Sequence, residues 1–518
     1  MKRILAILAA ASGALPAAEK PNVLFIAVDD LKPLIGCYGD TRIKTPQIDR
    51  LASQGTVFLN AHCQQAVCGP SRASLLTGLR PDTTKVWDLK TKMRDITPDI
   101  LTLPQHFRAN GYEAVGLGKI FDPRCVDGGK WCDKPSWSRP YIHVENNPDS
   151  EMGLLNKKFV DRARAMKKKL GRKGADWGSL KKALGGMPPF EGSEDVPDEA
   201  YGDGMLAKTA VGLVAELSAA GKPFFLAVGF KKPHLPFVAP KKYWDLYRRD
   251  EIEVAKFQKM PAGAPGFHFQ DSWELKNGSY SLVPRGPGLL PIDMQREMIH
   301  GYMACVSYID TQIGKVLDAL EANGVAGNTI VVLWGDHGWH LGDHGMWCKH
   351  TNYEQATRAP LIIARRANGG KPAKSSSPVE FVDIFPTLCD LAGLPKPAVL
   401  EGTTLLPVLD NPKAHVKEAA VSQYPRRSGR NALMGYAFRD ERYRYVEWLP
   451  RGEASAKPVA SELYDYREDP LETKNLASDP ARAEVLGRMQ TLARKFHARH
   501  NPSPAPPRRN APRPAKSN

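Results

Sequence analysis

Cys68-Gly69-Pro70-Ser71-Arg72 sets a thiol at the start of a helix. Pro70 suits the first helical turn, where its missing N–H costs nothing, and Ser71-Arg72-Ala73 continues it. Asp29 and Asp30 stand side by side where an apolar run ends. Buried there without a partner, adjacent carboxylates would be costly, and a cation removes the difficulty. Asp336-His337 repeats the arrangement at the end of a second apolar run. Three carboxylates and one imidazole make a divalent-cation site. Ca²⁺ prefers oxygen ligands. The imidazole of His337 relaxes that preference toward Mn²⁺ or Zn²⁺.

Those residues need strands to carry them. Val23 to Val28 is a continuous apolar run, as expected of a strand buried on both faces of a parallel sheet. Glu113 to Leu117 is a shorter strand ending near Lys119, and Phe224 to Gly229 is another, followed by Lys231-Lys232-Pro233-His234. A helix over 293–322 precedes the strand from Thr329 to Trp334, and Pro360 to Ala364 forms one more strand. The alternation predicts an α/β fold: a large mixed, mostly parallel sheet sandwiched by helices. The polar residues follow the carboxyl ends of strands, where open α/β sheets bind ligands. Short alternating runs at 434–439, 443–446 and 462–465 read as an antiparallel sheet, and a final helix covers 480–497. Together they form a smaller C-terminal subdomain. The expected organisation is a leader at 1–18, a catalytic domain at 19–425 with a basic insertion at about 125–195, the subdomain at 426–500, and a tail at 501–518.

The first residues are not part of the fold. Met1-Lys2-Arg3, the apolar run from Ile4 to Ala11 and the small residues to Ala18 read as a secretory signal peptide, too short for a mature membrane anchor. The protein is expected to be exported, to the periplasm or the extracellular space. Export permits disulfides. Cys125 and Cys132 lie close in a loop-like segment and are expected to pair, whereas Cys305 and Cys389 sit in helix-like apolar segments and are expected to be buried thiols. The net charge of +16 suggests nucleic acid at first sight. Export argues against that and favours an acidic extracellular polymer. The charge concentrates between Lys157 and Lys182, and in a Pro-rich tail that cannot bury a core.

Cys68-Gly69-Pro70-Ser71-Arg72, running on through Leu75-Leu76-Thr77-Gly78, resembles the maturation signature of sulfatases of the alkaline-phosphatase superfamily. Asp29-Asp30 and Gly335-Asp336-His337-Gly338-Trp339 resemble that family's metal motifs. Arg80-Pro81-Asp82-Thr83-Thr84, Gly118-Lys119-Ile120-Phe121, Lys232-Pro233-His234-Leu235-Pro236-Phe237 and Val306-Ser307-Tyr308-Ile309-Asp310 are similar to the iduronate-2-sulfatase branch. The resemblance covers about 20–480 and is weakest in the basic insertion. It implies that Cys68 is oxidised to formylglycine by a formylglycine-generating or maturase enzyme. The hydrated aldehyde then attacks the sulfur of a sulfate ester. Asp29, Asp30, Asp336, His337 and the side chain at position 68 would bind one Ca²⁺. Arg72 would stabilise the hydrated aldehyde, Lys119 and Lys349 would neutralise sulfate oxygens, and His234 would protonate the leaving alcohol or bridge to it. The implied substrate is a sulfated glycan, with a 2-O-sulfated uronic acid favoured. One residue departs from the pattern: Asp122 stands where the family has a His that assists sulfate release. Two other readings compete. One is a phosphomonoesterase or phosphodiesterase of the same superfamily, which Cys68 speaks against. The other is a catalytically weak binder of sulfated polysaccharide, prompted by Asp122 and the basic stretch.

Overall fold

The computed structural model describes residues 20–500 except 128–131, 145–146, 172–175, 366–370 and 454–455. The expected leader and tail lie outside the described residues. The main sheet has seven strands: β1 Asn22–Val28, β2 Thr56–Phe58, β3 Glu113–Gly118, β4 Phe224–Phe230, β5 Thr329–Gly335, β6 Leu361–Arg365 and β7 Ala373–Ser375. Their order is β7-β2-β6-β5-β1-β4-β3. Every pairing is parallel except the two made by β6, which runs antiparallel to β2 and β5. The sheet is therefore mixed and mostly parallel, as expected.

The all-apolar central strand follows from burial on both faces. Leu24, Ile26 and Val28 join one core with Leu206, Val214, Met298 and Tyr302, from the helices Gly202–Ala219 and Ile292–Ala322. Val23, Phe25 and Ala27 point the other way, into a core with Leu75, Leu76, Phe107 and Phe385. Each of the larger side chains contributes about 2 kcal/mol by burial. A one-residue slip of β1 would exchange the two sets and move Asp29 and Asp30 out of register.

Four antiparallel strands, β8 Ala420–Ser428, β9 Asn431–Arg439, β10 Tyr443–Pro450 and β11 Ala460–Asp465, form the second sheet in sequence order. Met489 and Ala493, on the helix Ala483–His500, cover it through Tyr436, Phe438 and Tyr445. β8 was not foreseen, and the expected boundary at 425/426 falls inside it. Pro425 and Arg426-Arg427 hide its alternation, and β8 tolerates that proline because it is an edge strand. A buried ion-pair cluster ties this sheet to the main body. The Arg439 Nε donates to Glu354 Oε2 at 3.1 Å, and the Arg444 Nη1 donates to the Asn352 carbonyl at 2.6 Å.

The expected Cys125–Cys132 disulfide is not formed. All eight cysteines are buried thiols, Cys305 and Cys389 among them. Cys125 turns its sulfur toward the Asp88 carbonyl, 3.4 Å away, and packs beside Gly69. Among the described residues no helix is long and apolar enough to cross a membrane.

Candidate active site

Sheet register brings the polar residues together. Val28 sits opposite both Phe230 and Gly335, and Gly118 sits opposite Gly229. Four strands thus end at one level, and the next residues of each chain segment meet there: Asp29-Asp30, Asp336-His337, Lys231 to His234, and Lys119. Gly118 has φ +77°, and a Cβ on it would lie 2.1 Å from the Gly229 carbonyl oxygen, so only glycine lets β3 and β4 close this corner. The helix Cys68–Thr77 starts against the same edge and delivers Cys68, whose Sγ lies 3.3 Å from His337 Nε2. A Cβ at Gly69 would sit 2.4 Å from Cys125 Sγ, so a bulkier residue would push this turn away.

Ligand atoms of Asp29, Asp30, Cys68 and His337 all lie within 4.8 Å of one another, and all four residues are buried. Asp336 adjoins them: its Oδ1 accepts from the Asp30 N–H at 3.0 Å, and its Oδ2 is 3.5 Å from His337 Nε2. Asp30 adopts φ +60° and is held there by Tyr302, whose hydroxyl donates to the Asp30 carbonyl at 2.9 Å. Buried and convergent, with two carboxylates in the set and a third beside it, these donors fit a divalent cation.

Three cations, the buried Arg72 and Lys349 and the half-buried Lys119, face the three carboxylates. The Arg72 Nε donates to Asp336 Oδ2 at 2.9 Å, Nη2 to Asp29 Oδ1 at 3.0 Å, and Nη1 to the Ile120 and Lys119 carbonyls. Lys119 Nζ lies 2.5 Å from Asp29 Oδ2, and Lys349 Nζ lies 3.0 Å from Asp30 Oδ1. Burial works against ionisation of Asp29, but Lys119 and Arg72 prevail and hold its carboxyl well below the usual range. Burial, with Asp29 adding to it, pushes the Cys68 thiol well above its ordinary value. As a thiol, Cys68 is protonated and a weak nucleophile.

His234 enters from the β4 side. Its Nδ1 meets the Leu235 carbonyl at 2.7 Å, and its Nε2 is 3.2 Å from Glu274 Oε1 and 3.9 Å from Asp30 Oδ2. Asp29, Lys119, Lys231 and His234 line a cavity of about 410 Å³. A larger groove of about 910 Å³, around Lys32, Arg42 and Tyr247, contains none of the expected catalytic residues.

Asp122 lies on the Lys119 side, buried, as the cap of a short turn. Arg124 takes both of its oxygens, Nε to Oδ1 at 2.9 Å and Nη2 to Oδ2 at 2.7 Å, and its backbone N–H adds a third bond at 3.0 Å. Burial opposes this charge, yet Arg124 and Lys119 hold the carboxyl below its ordinary value.

Four further residues at the rim carry no signal in the sequence. Glu274 pairs with both His234 and Lys349. His350 Nε2 lies 3.8 Å from Glu274 Oε2, and its ring faces Tyr424 at 6.1 Å. Arg426 stacks on Tyr424 at 4.6 Å and donates to the His350 carbonyl. Tyr424 and Arg426 come from β8, the strand that the sequence hid.

Comparisons with known proteins identify the family. Residues 21–394 match the family model described as Sulfatase, and residues 342–499 match that of N-sulphoglucosamine sulphohydrolase, C-terminal. The chain is 36% identical to iduronate 2-sulfatase of Homo sapiens over 528 residues, covering 88% of this chain and 91% of that protein. It is 28% identical to a delta 4,5-hexuronate-2-O-sulfatase of Bacteroides thetaiotaomicron, covering 94% and 90%. Among solved structures, a 2-O GAG sulfatase superposes with a TM-score of 0.64 at 24% identity, covering 93% and 92%. The phosphonate monoester hydrolase of Agrobacterium radiobacter shares the fold, with a TM-score of 0.68 at 23% identity, covering 92% and 96%. A family match running from the first strand past every strand-end residue of the site, joined to 36% identity over 88% of the length, places the chain in the sulfatase family, as a hydrolase of sulfate esters.

Proposed function

We propose that the protein removes the sulfate of a 2-O-sulfated uronic acid in a sulfated glycan, using formylglycine at position 68 and one bound Ca²⁺. The observation that carries this reading is the placement of Cys68, inside a buried carboxylate cluster and beside His337 rather than beside a free base. A thiol so placed does little chemistry of its own. Oxidised to formylglycine, the side chain supplies a hydrated aldehyde: one hydroxyl attacks sulfur, and the other expels sulfate as the aldehyde re-forms. Asp29, Asp30, Asp336, His337 and the oxidised side chain would hold the ion, which would draw charge from a sulfate oxygen.

The other roles belong to the chain itself. Arg72 spends its donors on Asp29, Asp336 and two carbonyls, and so supports the aldehyde through the carboxylates that it fixes. Lys119 and Lys349 neutralise sulfate oxygens as charge develops. His234 gives a proton to the leaving alcohol. Asp122 accepts a proton during release, weakly, because Arg124 already occupies it. The 2-O-uronate preference is supported by likeness to an iduronate 2-sulfatase and a hexuronate-2-O-sulfatase. The apolar run Ile4 to Ala11 supports export, and so a periplasmic or extracellular site of action. A maturation enzyme that oxidises Cys68 is the partner this chemistry requires.

The test is sulfate release from defined saccharides beside an aryl phosphate. A 2-O-sulfated uronate disaccharide should be cleaved faster than a 6-O-sulfated glucosamine, with the aryl phosphate slowest. A reversed order refutes the substrate assignment. Peptide mass spectrometry of the active enzyme should show residue 68 lighter by about 18 Da, the difference between CH₂SH and an aldehyde. Full turnover with an unmodified cysteine would refute the mechanism.

A further inference from the structure

We infer that Glu274 is a positioning residue for the leaving-group step, fixing His234 and Lys349 relative to each other. The inference rests on the proposed role of His234.

Glu274 lies on a one-turn helix, Trp273–Lys276, in the irregular segment before the helix Ile292–Ala322. The turn is anchored on several sides. Leu275 is fully buried. Ser272 Oγ accepts from the Trp347 N–H at 3.0 Å. Lys276 Nζ donates to the Gly286 and Gly288 carbonyls. The Glu274 carboxylate therefore has a set position, and it is directed at the reaction centre.

Its carboxylate meets two of the proposed catalytic side chains. Oε1 lies 3.2 Å from His234 Nε2 and accepts from Lys349 Nζ at 3.0 Å, and Oε2 lies 2.9 Å from the same Nζ. The other His234 nitrogen is tied to the Leu235 carbonyl at 2.7 Å, so both ring nitrogens are engaged and the ring cannot turn freely. Lys349 Nζ is shared with Asp30 at 3.0 Å. Glu274 thus links the proton donor to a sulfate-binding cation and, through it, to a metal-site carboxylate. Burial opposes its charge, but Lys349 and His234 keep the carboxyl well below its usual range, so it stays an anion.

The consequence depends on the leaving group. When the S–O bond to a sugar breaks, its electron pair goes to the bridging oxygen, and that oxygen takes the His234 Nε2 proton, which faces Glu274 Oε1 until substrate binds. A saccharide alkoxide leaves poorly without that proton. 4-Nitrophenolate leaves well as an anion. A residue that aims His234 should therefore matter for saccharide sulfates and little for aryl sulfates, whereas a residue that merely supports the fold would matter equally for both.

The experiment compares kcat for a sulfated saccharide with kcat for 4-nitrophenyl sulfate, using the matured, Ca²⁺-loaded full chain and its Glu274→Ala, Glu274→Gln and Glu274→Asp variants. Glu274→Ala should lose about 10²-fold on the saccharide, as expected for a misplaced general acid, and only a few-fold on the aryl ester. Glu274→Asp should recover most of the saccharide rate, and near-isosteric Glu274→Gln should keep the wild-type melting temperature. Equal losses on both esters would overturn the inference, and so would no loss on either. So would a lower KM on both with tighter inhibition by inorganic sulfate, since Glu274 would then be only an anion that substrate displaces. Wild-type enzyme that cleaves neither ester would instead refute the proposed function, before any variant is compared.

Discussion

Arg72→Met tests the charge architecture most directly. Methionine keeps an unbranched apolar stem about as far as Nε and removes the guanidinium, which lies over Trp334 at 5.3 Å. It removes four polar links: to Asp336 at 2.9 Å, to Asp29 at 3.0 Å, to the Ile120 carbonyl at 3.0 Å and to the Lys119 carbonyl. Asp29 retains Lys119, whereas among the described residues Asp336 keeps only the His337 ring within ion-pair distance. Breaking a buried pair and leaving its partner charged costs about 3–5 kcal/mol. For a folded body of roughly 480 residues, the unfolding entropy is about 1 kcal/mol per kelvin, so the melting temperature should fall by about 3–5 °C. A divalent cation supplies charge that the variant lacks, so saturating Ca²⁺ should narrow the gap. Differential scanning calorimetry with Ca²⁺ and with a chelator reads both effects. A shift under about 1 °C in both conditions would show that the buried carboxylates do not depend on Arg72, and the charge accounting would be wrong.

Chelation should abolish turnover but lower the melting temperature only modestly, because Arg72, Lys119 and Lys349 already oppose Asp29, Asp30 and Asp336; a chelated enzyme that stays active would refute the metal assignment. Asp122→His should raise kcat, since an imidazole free of Arg124 is the stronger base; pre-steady-state traces should then lose an accumulating sulfated enzyme, and unchanged kcat in both Asp122→His and Asp122→Ala would remove Asp122 from the reaction. Glu472, buried between the two sheets, has its carboxyl pushed up to about 7 by burial, with Arg444 opposing. The native state then holds a proton that the unfolded chain releases near pH 4.5, so this residue's contribution is full below about pH 4.5 and lost as pH rises to about 7, a change of about 3 kcal/mol. Glu472→Gln should flatten the melting-temperature profile across that window, and parallel profiles would refute the assignment.

What the sequence disclosed and what it hid follow from the same physics. Asp29-Asp30 and Asp336-His337 were legible because charge interrupting a run buried on both faces is expensive, and therefore informative. Their convergence was legible as well, since parallel strands that end together present their next residues together. Asp122 could be placed beside Lys119 by adjacency, but the claim of Arg124 on its carboxylate depends on a turn at Pro123 that spacing does not specify. A sharper reading of Asp-Pro-Arg as a side-chain-capped turn would have found it. Glu274 had no signal, because it lies in an irregular stretch rich in Gly and Pro whose position is set by distant partners such as Trp347. β8 failed for a related reason: an edge strand is excused from the rules that make central strands recognisable. The hidden elements share one property. Glu274, Tyr424 and Arg426 reach the site from outside the main sheet, held by Arg444, Glu354 and Asn352 or by a short anchored turn. The chemistry of sulfate transfer is written where strands end, and the rim a glycan would meet is written in tertiary contacts. Reaction class was therefore legible before substrate identity was.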